Sequence, residues 1–442
     1  MKNKGRGFTL VELLAVIVIL AVILIIAMPK ISDVIKNSKE ASLETTAKLI
    51  ASQAEKKYTE NQVLDGSGSI KCNDVAKISD ADYESCNITF DSKGNVKVTI
   101  VGKGKFEGLS VINGTKDSAT ASEVKMPEYG KGTTYIKALY DSDILRTANG
   151  LKKDNTSDAN IRYEGANPNN YVSFNDELWR IIGVFGDNIK LVRSEQLGKL
   201  SWDSSNSSIN NGGGINEWNQ ADLKEYLNTM YYGGTSVTCY DGWNNKTTTC
   251  PTGSLNITAK SMINNYIWNT GAINIGDTTI VNIATFSLYT VPFYNAERGS
   301  VNGKICTSGT GCNDTVERTT TWQGYVALPY LTDWAYASSE TVCETNMSDG
   351  YDVANYNYDN VTCKKNNWMH HDNINDGAMW MLSPYAVPSV AFRSRAASAV
   401  AFNYGISDAD IAYLVFPTVY LNSNVEITSG SGSSSDPYIL GV

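Results

Sequence analysis

The pattern of apolar and polar positions changes character along the chain. From Leu13 to Met28 it is unbroken and apolar, with Leu10 and Val11 ahead of it and one carboxylate, Glu12, in between. Pro29 follows, and the pattern turns periodic. Ile31 and Ile35, then Leu43, Ala47, Ile50, Ala54 and Tyr58, recur at steps of three and four, with charges on the other positions. One apolar stripe at that spacing predicts a helix. The two patterns join into a single expected helix over residues 8–58, apolar all round at first and amphipathic afterwards. Pro29 lacks a backbone donor and is expected to bend or loosen it.

The period then shortens. Ile88–Phe90, Val96–Val101 and Phe106–Ile112 read as strands, with alternation at Val96, Val98 and Ile100 and turn chemistry at Ser92–Asn95. A small antiparallel sheet under the amphipathic stripe makes an α+β module. Beyond residue 134, short apolar runs alternate with Asn, Gly, Ser and Thr. Val172–Phe174, Leu178–Phe185 and Ile189–Arg193 read as strands joined by Asn-Asp and Gly-Asp-Asn turns. NQADLKEYLNTMYY predicts a helix capped near Asn219, with Leu223, Tyr226, Leu227 and Met230 on one face. LNITAKSMINNYIWN predicts another, with Ile257, Met262, Ile263 and Ile267. Tyr325–Leu328, Met379–Leu382 and Val415–Leu421 read as buried strands. The tail SGSGSSSDPYILGV has no apolar anchor and no sortase-type signal. The expectation is a larger α+β domain with short helices and much irregular loop.

Composition supports the division. All nine tryptophans follow residue 178, and 22 of the 25 tyrosines follow residue 134. The small polar run Lys116–Ser122 and the cluster Pro127, Gly130 and Gly132 mark a linker at 118–133. A chain of 442 residues exceeds one ordinary core, and 42% apolar with 19% charged residues is a globular composition. The net charge of −9 gives no basic face for nucleic acid. Lys2, Lys4 and Arg6 form the one dense basic cluster, which places the N-terminus on the cytoplasmic side and the rest outside. Eight cysteines fall as four close pairs: Cys72 and Cys86, Cys239 and Cys250, Cys306 and Cys312, Cys343 and Cys363. An even count in an exported chain favours local disulfides, with the connectivity left open, and no C-x-x-C suggests zinc or redox chemistry.

The N-terminal run is too long, and ends in Met-Pro-Lys, for a secretory signal peptide. A plain anchor has no use for Glu12, because a charge near a bilayer centre costs about 2.5–3.5 kcal/mol. GFTLVELL, Gly7 to Leu14, after a short basic leader, instead resembles the class III signal of type IV prepilins and pseudopilins. The resemblance implies a leader of residues 1–7, cut by a prepilin peptidase between Gly7 and Phe8, and N-methylation of Phe8. It implies a pilin-like module over 8–117, with Glu12 and Pro29 at family positions in the assembly helix. A carboxylate that is costly alone is tolerable when paired, so Glu12 is expected to pair with the new amine of a neighbouring subunit. Partners implied are other pilin subunits, the peptidase, and the cell membrane before assembly. KGKFEGLSV, Lys103 to Val111, is similar to heads of small Gram-positive pilin-like proteins.

In residues 134–442, the series WRIIG (Trp179–Gly183), LKEYLN, YVALPYLTDWAYA (Tyr325–Ala337), WMLSP (Trp380–Pro384) and VFPTVYLNSNVEI looks like a domain of bacterial surface proteins that resembles the C-type-lectin-like fold. That family often has arginine before the late proline, where Phe416 stands here. The calcium-lectin triplets are absent, and in Asp372–Gly377 Ile374 occupies a place where an oxygen ligand is needed. The adjacent His370 and His371 point oppositely on a strand. Gly102–Lys105 lacks P-loop spacing. No metal, cofactor or catalytic activity is therefore expected. The loop Ser204–Gly214 is a candidate recognition surface. The reading is a minor, tip-located pilin-like subunit with an adhesin domain for a glycan or protein ligand. The alternative is a pseudopilin of a type II secretion or competence filament with a capping head.

Overall fold

The computed structural model describes residues 10–63, 70–77, 79, 81–90, 95–205, 214–273, 281–282, 287–298, 319–339, 366–370, 378–384, 390–395 and 406–442. Contacts divide the chain into two units. The first runs to Glu60 and resumes over Ile70–Lys125, and the second takes Asn61–Ser69 and Met126–Val442.

The first unit is built on α1 (Leu10–Val63), 54 residues without interruption, about 80 Å long at 1.5 Å per residue. The helix continues through position 29. Its partner is an antiparallel sheet in sequence order: β1 (Tyr83–Phe90), β2 (Val96–Gly102), β3 (Leu109–Gly114) and β4 (Ala121–Glu123). β4 lies inside the segment expected as linker. It pairs Val111 with Ala121, and Glu44 of α1 accepts from the Ala121 amide at 2.9 Å. Leu43, Ala47, Ile50 and Ala54 are fully buried against Val98, Ile100 and Val111. Small residues at 47 and 54 let the helix lie close on the sheet, and Tyr58 closes the end by stacking on Phe90 at 4.7 Å. The stripe read from the sequence is thus two stripes. Ile31 and Ile35 continue its spacing but are 57% and 50% exposed, because the sheet core meets the helix only from Leu43 onward.

The second unit opens with β5 (Gly130–Lys131), α3 (Gly132–Asp141) and α4 (Asp143–Asn149), then β6 (Leu151–Lys153) and β7 (Ile161–Tyr163). Next come β8 (Tyr171–Phe174), β9 (Glu177–Phe185) and β10 (Asn188–Arg193). Asn175 and Asp176 turn the chain between β8 and β9 with φ of 58° and 59°, the left-handed pair of a tight hairpin turn. The main sheet runs Val326–Ala327, Thr418–Tyr420, β10, β9, β8, Tyr438–Gly441, Glu426–Ser429, β5, and β9 also carries β7 and β6. β9 is buried on both faces from Trp179 to Phe185. Gly183 of the WRIIG run is required there: a Cβ would lie 2.2 Å from the Ile161 carbonyl oxygen, where β7 crosses. The polar-looking tail is inside the sheet. Tyr438 is buried and pairs in parallel with Val172 of β8, and Glu426–Ser429 pairs with β5, so the unit's two ends meet. A second sheet orders Lys199–Ser201, Ala412–Leu414, Ala378–Pro384, Val390–Arg395 and Ile406–Asp408.

Two helix expectations are corrected. The segment at 218–232 is a short 3-10 turn, an α turn and a π-helical run, Tyr226–Tyr232. Its opening is capped by Glu217 rather than Asn219. The next helix is only Ile257–Met262, capped by Asn256, whose Oδ1 accepts from Ala259 N at 2.7 Å. Ile257 is exposed, and Ile267 sits in strand Tyr266–Asn269, also exposed. Tertiary packing on Trp268, Met262 and Ile263 overrode the apparent helical spacing. Among the described residues no helix is long and apolar enough to cross a membrane; in the apolar run, side chains are described only for residues 14–19.

Candidate functional site

Among the described residues, the apolar side chains in the N-terminal part of α1 are uncovered. Leu10, Leu14, Val16, Ile17, Val18 and Ile19 are between 47% and 82% exposed, and Val34 is exposed beyond them. Each such side chain gains about 1.5–3 kcal/mol when fully covered, so this surface is built for a partner or a bilayer. Glu12 lies in the helix at its start, while its side chain and that of Pro29 are outside the described residues, as are Gly7 and Phe8.

Two of the four cysteine pairs are disulfides in the structure. Cys72–Cys86 ties α2 (Cys72–Val75) to β1, and Cys239–Cys250 closes a hairpin of the second unit. Cys306, Cys312, Cys343 and Cys363 lie outside the described residues. The closed hairpin displays a residue that sequence reasoning did not separate from its kind. Cys239–Gly242 pairs with Lys246–Thr248, and Asn244 and Asn245 turn the tip with φ of 57° and 55°. Trp243 at this tip is 61% exposed, whereas Trp179, Trp202, Trp218, Trp268 and Trp380 are at most 1% exposed. A Lys246–Asp241 ion pair at 3.1 Å braces the turn.

The base of the proposed recognition loop is pinned. Asp203 Oδ1 accepts from the amides of Ser205 at 3.1 Å and Ile215 at 2.8 Å, closing a loop whose residues 206–213 are not described. His370 packs near Trp334, and His371 and Asp372–Gly377 lie outside the described residues. Among the described residues no cluster of three His, Cys, Asp or Glu side chains could hold a metal.

The interior of the second unit holds an ionic network that the sequence reading missed. Arg162 on β7 donates through Nε to Asp154 at 2.6 Å and through Nη1 to Asp333 at 2.9 Å. Lys190 on β10 donates to Asp333 Oδ2 at 2.5 Å, and all four side chains are at most 2% exposed. The Lys190 ammonium lies 4.2 Å from the Tyr330 ring centre, 5.1 Å from Tyr420 and 5.4 Å from both Phe185 and Trp268. Burial pulls its pKa down to about 8, with Asp333 opposing. Nearby, Glu297 accepts from Thr332 and Ser383 and pairs with Arg298 at 3.1 Å; burial raises its pKa. The available signal was Lys190 itself, a charge between Ile189 and Leu191 in a segment read as a strand.

Residues 2–28 match the family model of the prokaryotic N-terminal methylation motif. This segment is a type IV pilin-like signal. It covers Gly7, Phe8, Glu12 and the whole apolar run from Leu13 to Met28. No curated protein and no solved structure matches the chain.

Proposed function

We infer that this chain is a minor type IV pilin-like subunit that carries the unit Met126–Val442 to the end of a filament as an adhesin. The observation that carries the reading is the methylation motif at residues 2–28 overlapping a 54-residue helix in which Leu10, Leu14 and Val16–Ile19 are exposed. In this reading a prepilin peptidase cuts between Gly7 and Phe8, Phe8 is methylated, and Glu12 pairs with the free amine of a neighbouring subunit. The bilayer holds the apolar rod until the filament core replaces it. A second unit of this size is hard to repeat along a tightly packed shaft and fits at an end with no subunit above. In this reading the second unit is a C-type-lectin-like domain. Its support is a sheet in which β5, at the start of the unit, pairs with Glu426–Ser429 near its end.

Immunolabelling of filaments from wild-type and Glu12→Gln cells tests the reading. The expectation is label at filament ends in wild type and its loss with Glu12→Gln. Label spread along the shaft would overturn the tip position. Filaments without label, together with lost DNA uptake or secretion on deletion, would replace the adhesin by the pseudopilin reading. Equal incorporation of Glu12→Gln would remove the pairing role.

A further inference from the structure

We propose that Lys190 and Asp333 condense into an intramolecular amide that staples the main sheet to the helix Leu331–Ala335. The two residues are 143 positions apart in sequence, both wholly buried, and their reacting groups touch at 2.5 Å between Nζ and Oδ2. That separation puts the amine within reach of the carboxyl carbon, and the strand and the short helix hold both groups in place, so little orientational entropy remains to be lost. The helix-capping bond from the Tyr330 amide to Oδ2, at 2.9 Å, fixes the carboxyl further.

The surroundings favour the neutral product. Both side chains are wholly buried, and two charges in such a place carry a desolvation penalty that their attraction need not offset. Burial already weakens the ammonium. Arg162 Nη1 sits on the other carboxyl oxygen, Oδ1, at 2.9 Å, where it stabilises the negative charge that develops when the carbon is attacked. The balance of the step is complete. The ammonium gives one proton to Oδ2, the amine lone pair forms the Nζ–Cγ bond, and a second Nζ proton goes to the same oxygen. The Cγ–Oδ2 bond then breaks and water leaves. One proton stays on the amide nitrogen, and no oxidant or other reactant is required. The charges left behind still match, as Arg162 keeps Asp154 at 2.6 Å and Arg298 keeps Glu297 at 3.1 Å.

Such a staple suits a domain loaded at the end of a filament, although the chemistry stands apart from the adhesin reading. The test is mass spectrometry of the purified, disulfide-reduced full chain. The expected result is a mass lower by one water than the sequence requires. Trypsin should then leave Lys190 uncut, in a peptide joined to the one containing Asp333. Lys190→Arg and Asp333→Ala should each restore the full mass. A wild-type chain of full mass, with Lys190 and Asp333 in separate tryptic peptides, overturns the proposal and leaves an ordinary buried ion pair. Because the decisive measurement is on the wild type, a variant that fails to fold does not spoil it.

Discussion

Two single residues in the second unit show opposite roles, one holding the interior and one facing outward. Asp154 belongs to the first kind. Burial alone would raise its pKa, but Arg162 and the donors Thr156 and Asn160 outweigh that and hold it below the ordinary carboxylate range. A depressed folded pKa gives stability that is present above the unfolded value, about 3.9, and lost as pH falls through the folded value. As a free carboxylate Asp333 is shifted the same way, with Lys190 and Arg162 outweighing burial; once joined to Lys190 it no longer titrates. Asp154→Asn should therefore lower stability at neutral pH by about 3–5 kcal/mol, as one partner of a buried pair is removed. It should also flatten the loss below about pH 4. Thermal melts at stepped pH check this, and an unchanged acid limb would count against the assignment. Trp243 belongs to the second kind. Trp243→Ala should leave the melting curve within the small range of surface substitutions, about 0.5 kcal/mol. It should weaken attachment of filament-bearing cells to surfaces or glycan arrays; unaltered attachment would remove the hairpin from the recognition surface.

At the scale of elements, α1 shows where periodicity informs and where it stops. The spacing from Ile31 to Tyr58 correctly gave a helix, since a repeat of three and four places side chains on one face whatever covers them. It could not say what covers them. Leu43 to Ala54 face the sheet, and Ile31 and Ile35 face none of it. Ile50→Ala should thus destabilise the isolated protein by about 2–5 kcal/mol in denaturant unfolding. Ile35→Ala should change that stability by about 0.5 kcal/mol or less yet reduce recovery of the subunit in sheared filaments. If both variants unfold alike, the division of the stripe is wrong. The region 218–269 shows the opposite case. Apolar residues at helix-like spacing came to lie in a π-helical run, a six-residue helix and a strand. In short segments, burial against neighbours outweighs intrinsic preference.

For the whole molecule, the prediction is positional: label for this chain is expected at filament ends, as set out above. The exposed apolar side chains at Leu10, Leu14 and Val16–Ile19 of α1 and the well-packed interior of the second unit make different demands, the first for covering and the second for nothing further inside. Much of this was legible beforehand. The change in composition after residue 134, the basic leader and the run from Gly7 to Met28 are local or additive properties of sequence, so they identify the export signal, the helix and the α+β character directly. The pairs Cys72–Cys86 and Cys239–Cys250 are close in sequence, and short loops close at small entropic cost. What only the tertiary structure decided is long-range. Lys190 meets Asp333 across 143 positions, β5 meets Glu426–Ser429 across the whole second unit, and the tail around Tyr438 enters the sheet beside β8. No local pattern encodes such meetings, because they depend on how strands order in a sheet. The one exposed tryptophan among many buried ones follows from the same cause, since burial is a property of neighbours rather than of the residue itself.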